Sequence, residues 1–174
     1  RGVLPRLIVL PPQWLFRSAV LERPAAHCDL SPPETAERME NPRCNTVAGS
    51  AAFGVPGLGP HTRFERPPLV AMLRLKHGQP VCVITAHLKS KRPKYLEDAS
   101  GKTIEDTDDP AVQALASLRS LIMRASEALA LRLTVVDLLH RSRLPLVLMG
   151  DLNDSPHSVT TQLIAATSQV AWDK

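Results

Sequence analysis

A layered α/β domain, with helices covering a mixed β-sheet, is the fold class this sequence predicts, and three observations predict it. Between Leu69 and Ala86 lie two apolar segments separated by a Gly-containing turn, the pattern of a hairpin. From Ala111 to about Arg141 apolar residues recur at three- and four-residue steps, the pattern of a long helix. Leu146–Met149 is then a short apolar strand, followed by a turn and a second, shorter helix.

Each element has its own justification. Leu69–Lys76 alternates apolar and polar residues towards its end, as a half-buried strand should. His77-Gly78-Gln79-Pro80 makes the turn, and Val81–Ala86 is a continuous apolar run rich in β-branched residues. This second strand delivers His87 at its C-terminal end. The polar stretch Lys89 to Asp109 reads as an exposed loop. Asp109-Pro110 pairs an N-cap with a proline at the first helical position. Leu115, Leu118, Ile122, Ala125, Leu129, Leu133 and Val136 form the expected apolar stripe of the long helix, which Pro145 ends. Gly150–Ser155 reads as a turn, and Ser155 or Ser158 caps a helix reaching Ala166.

The 174 residues suit one domain and are too few for two ordinary ones. Hydrophobic residues make up 44% and charged residues 22%, near the globular average, which excludes wholesale disorder. Sixteen prolines crowd towards the front of the chain. Residues 1–62 are a Pro/Gly-rich region of loops, with one strand expected around Leu7–Leu10 or Phe16–Leu21 and a short helix over Pro33–Met39. Signals sharpen near residue 68, and residues 63–174 form the recognisable core of a single, partial domain.

A net charge of +4 is compatible with a polyanionic partner and decides nothing alone. Cys28, Cys44 and Cys82 lack the spacing of a zinc site, and Cys82 reads as a small buried hydrophobe. His27, His61, His77, His140 and His157 show no metal-ligand spacing. No apolar run reaches the ~20 residues of a membrane span, and no signal peptide is recognisable. The chain begins with Arg1 rather than Met, which fits a missing upstream portion, and a cytoplasmic location is the default expectation.

Two segments stand out for chemistry. Thr85-Ala86-His87-Leu88-Lys89-Ser90-Lys91-Arg92-Pro93 and Leu148-Met149-Gly150-Asp151-Leu152-Asn153-Asp154-Ser155-Pro156 each begin where a buried strand ends. Such strand-end loops are where α/β proteins build sites. In this order, with a helix and strand between them, the pair resembles the endonuclease/exonuclease/phosphatase superfamily, whose fold is the DNase-I-like α/β sandwich with mixed β-sheets. Arg63-Phe64-Glu65-Arg66-Pro67-Pro68-Leu69 and the helical Arg124-Ala125-Ser126-Glu127-Ala128 are similar to bacterial members. The resemblance covers about residues 63–165.

It implies a metal-dependent phosphoester hydrolase, phosphodiesterase- or nuclease-like, with Mg²⁺ or Mn²⁺ as cofactor and a phosphoester, nucleic acid included, as substrate. Elementary chemistry agrees. Phosphodiester hydrolysis needs an activated water, charge stabilisation on the phosphoryl oxygens and help for the leaving oxygen. Asp151 is the candidate base or water-orienter and a hard-oxygen ligand for the metal. Asn153 offers an amide donor to a phosphoryl oxygen or its carbonyl to the metal. His87 donates to the phosphate or protonates the leaving oxygen. Lys89 and Arg92 are the candidate substrate-binding cations, with Lys91 beside them. Against this, Lys91 and Arg92 also read as a solvated basic loop. Arg124 and Glu127 read as a surface i, i+3 pair, and Asp154 as a turn stabiliser.

The family also carries a metal-binding glutamate in its N-terminal half and a terminal Ser-Asp-His-like motif, and neither is found here. Gln13-Trp14, Glu22 and Glu34 do not match. The expectation is therefore a fragment or truncated hydrolase. Two rivals stay open: a catalytically inactive module binding phosphate ligands or proteins, and a phosphomonoesterase or lipid-phosphate hydrolase on the same core.

Overall fold

In a computed structural model of the chain, residues 7–10, 46–47, 49–74, 80–141 and 144–165 are described. The expected strand at Phe16–Leu21, the helix at Pro33–Met39, and Cys28 and Cys44 lie outside them. In chain order the elements are β1 (Leu7–Leu10), a 3₁₀ turn (Gly49–Ala51), β2 (Gly54–Val55), β3 (Gly59–Pro60), β4 (Leu69–Arg74) and β5 (Pro80–His87). The helix α1 (Pro110–Arg141), β6 (Leu146–Asp151) and the helix α2 (Val159–Ala165) follow. The class is mixed α/β, as expected.

Four strands form one sheet in the order β1-β6-β5-β4. β1 and β6 run parallel, β6 and β5 run parallel, and β5 and β4 are antiparallel, so the sheet is mixed. β2 and β3 make a separate two-stranded ribbon. Val81 to Ala86 lies in the middle of the sheet because its side chains alternate onto two apolar faces. Cys82, Ile84 and Ala86 are buried, and their partners across β6, Leu146 and Leu148, are buried with them. Together with Val70 they pack against Ala128, Leu131 and Val135 of α1. Each fully buried Ile or Leu here is worth about 1.5–3 kcal/mol. The opposite face presents Val81, Val83, Leu69 and Leu73, the last two 49% and 41% exposed.

Two boundaries move. Pro80 belongs to β5, where it pairs with Arg74, rather than to the turn. As the first residue of a strand it tolerates the missing N–H. β6 continues through Gly150 and Asp151, so the turn starts at Leu152. The Pro/Gly-rich stretch is also more than loop: Val47, Ala51 and Val55 are buried.

The start of α1 is as read: Asp109 Oδ1 accepts the Ala111 N–H at 2.7 Å. Its buried face is not. Leu118 and Leu133 of the expected stripe are 45% and 38% exposed, while Ala116, Arg119, Ser120, Met123, Arg124, Glu127, Leu131 and Val135 are buried. Apolarity alone misplaced the stripe, because the face that enters the structure carries polar side chains whose partners lie in distant loops.

Arg119 shows how. Only 2% exposed, it grips Glu105 through two nitrogens at 2.6 and 2.9 Å and donates Nε to the Pro56 carbonyl at 2.7 Å. Its hydrogen bonds, and then that of the Leu96 N–H, hold the Glu105 carboxyl below its ordinary value. Ser120 donates its hydroxyl to the Arg92 carbonyl. The stretch from Lys89 to Asp109, expected as an exposed loop, is thus laced to α1, and Lys89 itself is buried. Arg119→Met should release it: limited proteolysis should cut within residues 89–109 faster than in the wild type, with the Glu105 carboxyl titrating higher. Unchanged cleavage would show that the loop holds without this anchor.

Candidate active site

The two strand-end segments meet. β5 and β6 are neighbours, and the last pair in their register is His87 with Asp151. His87 Nε2 stands 3.8 Å from Asp151 Oδ2, with the side chains 48% and 51% exposed. Both are held side by side yet open to a ligand.

The strands approach unusually closely at the residue before. Gly150 has φ of 132°, and a Cβ placed there would lie 2.0 Å from the Ala86 carbonyl oxygen. Only glycine fits. The chain then turns through Asn153, which sits in the left-handed region with φ of 52°, where asparagine is among the tolerated residues. Asp151 Oδ1 accepts the Asn153 N–H at 2.8 Å, closing an Asx turn.

Leu88 ties the two loops together. Its N–H donates to the Asp151 carbonyl at 3.0 Å, and its carbonyl accepts the Asn153 Nδ2 at 2.7 Å. One amide hydrogen of Asn153 is therefore committed to the backbone, leaving its second hydrogen and its oxygen for other partners. Arg66 reaches the same Leu88 carbonyl at 3.5 Å from an exposed position. The sequence drew attention to the Arg66 segment only as part of a resemblance; nothing in its spacing placed it against Leu88.

The other expected residues fall differently. Lys89 is 5% exposed, with Nζ 3.9 Å from Glu65 Oε2 and 3.5 Å from Ser90 Oγ. Arg92 is exposed, and its carbonyl is anchored by Ser120. Lys91, read as a solvated cation, stays 62% exposed but pairs with Asp154 Oδ1 at 2.9 Å.

Asp154 is a structural hub. It also accepts Thr160 Oγ1 at 2.6 Å and Arg124 Nε at 3.3 Å, joining the loop to α2 and α1. Burial pushes its carboxyl up, but the hydrogen bonds of Thr160, Lys91 and the Ser155 N–H outweigh this and leave it far below the usual carboxylate range. A depressed folded pKa means the ionised group stabilises the fold above the ordinary value of 3.8, and this contribution fades as pH falls below it. In urea titrations the wild type should lose stability on going from pH 6 to pH 3, and Asp154→Asn should flatten that dependence. Equal slopes would remove Asp154 from this role.

Arg124 and Glu127 correct a further expectation. They are not a surface pair: they are 5% and 0% exposed and serve different loops. Glu127 Oε2 accepts the Lys89 N–H at 2.6 Å, and Oε1 accepts the Glu65 N–H at 2.9 Å and faces His61 Nε2 at 3.3 Å. His61, without a partner in the sequence reading, acquires one here.

Ser158 caps α2, its Oγ accepting the Thr161 N–H at 3.3 Å. Among the described residues, no three His, Cys, Asp or Glu side chains gather as a metal cluster. Nor is any helix among them long and apolar enough to cross a membrane. Comparison with protein-family models, curated proteins and solved structures finds no match to the chain.

Proposed function

We propose that this chain carries part of a metal-dependent phosphoester hydrolase of the DNase-I-like class, acting on phosphodiesters with nucleic acid as the leading substrate. The supporting observation is the juxtaposition of His87 and Asp151 at the ends of adjacent parallel strands, 3.8 Å apart and half exposed. An imidazole and a carboxylate so placed can divide the work of donating a proton to a phosphoryl or leaving oxygen and orienting a water. Asn153, fastened to the same loop, has an amide hydrogen left for a phosphoryl oxygen. The apolar second face of the sheet suits the packing of another sheet, as a sandwich requires.

The donor set suits a divalent metal. Mg²⁺ keeps several waters and takes one or two carboxylates together with substrate phosphates. A single exposed carboxylate, Asp151, with Asn153 fastened in the same Asx turn, fits that mode. These two residues would hold the ion, which would supply positive charge to the phosphoryl oxygens. His87, beside Asp151, acts as proton donor, and Arg66 on the Leu88 carbonyl, with the exposed Lys91 and Arg92 further along that loop, adds positive potential.

One observation favours a second reading, a phosphate-binding module without hydrolytic activity: among the described residues no third His, Cys, Asp or Glu joins His87 and Asp151 in a metal-binding group. The test is Mg²⁺- or Mn²⁺-dependent cleavage of plasmid DNA and of bis-p-nitrophenyl phosphate, with p-nitrophenyl phosphate reporting monoesterase activity. Metal-dependent turnover lost in Asp151→Ala supports the hydrolase. Wild type and Asp151→Ala equally inert, with phosphate still bound, leaves the module.

A further inference from the structure

The hydrogen bonds around Leu88 form a frame with two external supports, and both come from one face of α1. Glu127 holds the His87 side by accepting the Lys89 N–H, two residues beyond His87, at 2.6 Å. Arg124, one turn earlier, holds the Asp151 side through Asp154, three residues beyond Asp151, at 3.3 Å. Between these supports Leu88 links the loops to each other, through its N–H to Asp151 and its carbonyl to Asn153.

Of the two supports, Glu127 acts nearer the site. Its carboxylate is fully buried, and its oxygens take donors from two separate segments, Lys89 and Glu65, with His61 beside them. An apolar side chain of similar volume would escape the cost of desolvating a charge, but it would leave the Lys89 and Glu65 N–H groups without their acceptors. A carboxylate does offer something an apolar group cannot: two fixed acceptors that define where two backbone N–H groups must lie.

Resting on the His87–Asp151 reading of the site, we infer that Glu127 is a positioning residue. It sets the Leu88-Lys89 backbone and, through Leu88, the placement of His87 and Asn153 against Asp151. It touches no substrate.

The test uses the full chain, with Glu127→Gln, which keeps the shape but presents an amide donor to one of the two backbone donors. In NMR spectra of labelled protein, the Lys89 or Glu65 amide should exchange about tenfold faster or more. The ring signals of His87 and the side-chain amide signals of Asn153 should shift, while the Ile84 and Leu131 amides keep their protection. On bis-p-nitrophenyl phosphate kcat should fall about 10- to 100-fold, with KM changed much less. Glu127→Asp, which keeps the charge but withdraws it by one methylene, should move the same signals.

Faster exchange at Lys89 or Glu65 with His87 and Asn153 unmoved would overturn the inference and leave Glu127 a structural residue only. So would global unfolding of both variants, because the role assigned is local. If the wild type hydrolyses no phosphoester, the hydrolase reading fails, and the NMR measurements by themselves decide the positioning role.

Discussion

Gly150→Ala is expected to destabilise the chain by about 3 kcal/mol or more and to separate His87 from Asp151. The methyl group would arrive 2.0 Å from the Ala86 carbonyl oxygen and 2.9 Å from the Ala86 nitrogen and carbonyl carbon, all of them backbone atoms that no rotamer change can move aside. Relief requires β5 and β6 to part at the pair next to His87–Asp151. Strained φ alone costs on the order of 1–3 kcal/mol for a non-glycine residue, and overpacking adds on the order of 1–3 kcal/mol. Chemical denaturation gives the stability change, and amide exchange at Ala86 and Leu88 reports whether the strands separate there. A variant as stable as the wild type, with unchanged exchange, would refute the close approach.

The second large effect concerns His87 and Asp151 themselves. If the two work in one step, Asp151→Asn and His87→Ala should each lower phosphodiester turnover by about 10²- to 10⁴-fold. The double variant should be scarcely worse than the poorer single, because groups acting as a unit give non-additive losses. Stability should change little, within about 0.5 kcal/mol for His87→Ala, since the side chain is half exposed. Asparagine at 151 retains an oxygen to accept the Asn153 N–H, so the Asx turn survives. Initial rates and thermal melts of the four proteins complete the cycle. Multiplicative losses in the double variant would show two independent contributions instead of a shared one.

Glu127 adds a third layer to this picture. The reactive pair is set by strand register, the glycine lets the strands close, and the helix holds the loops that follow. A defect in any layer reaches the same two side chains, but through different observables: strand exchange for Gly150, rate for Asp151, loop signals for Glu127.

The elements nearest the site were legible because local rules govern them. A continuous apolar run rich in β-branched residues marks β5, Asp109-Pro110 marks the start of α1, and Ser155 or Ser158 marks that of α2, with Ser158 the cap in the fold. The strand-end positions of His87 and Asp151 follow from those elements. Their pairing does not: it depends on β5 lying beside β6 in parallel, a contact across 64 residues of chain that no local pattern encodes. Gly150 could be read as a turn glycine, and only the approach of Ala86 shows it to be a strand residue that must lack a side chain.

The largest misreading was the inner face of α1. Counting apolar residues selected Leu118 and Leu133, whereas the buried face holds Arg119, Arg124 and Glu127. Apolar periodicity detects a face that enters a hydrophobic core, and it fails where burial is stabilised by charge-assisted hydrogen bonds to backbone groups far away in sequence. By itself, then, the sequence determined the α/β class, the strand ends and the residue types available for chemistry, because each rests on near-neighbour sterics and periodicity. Tertiary structure alone decided that His87 meets Asp151, that Lys89 turns inward and that Glu127 clamps the loop between them. Those outcomes depend on where distant N–H groups and carbonyls find their partners, a condition satisfied only by the folded chain as a whole.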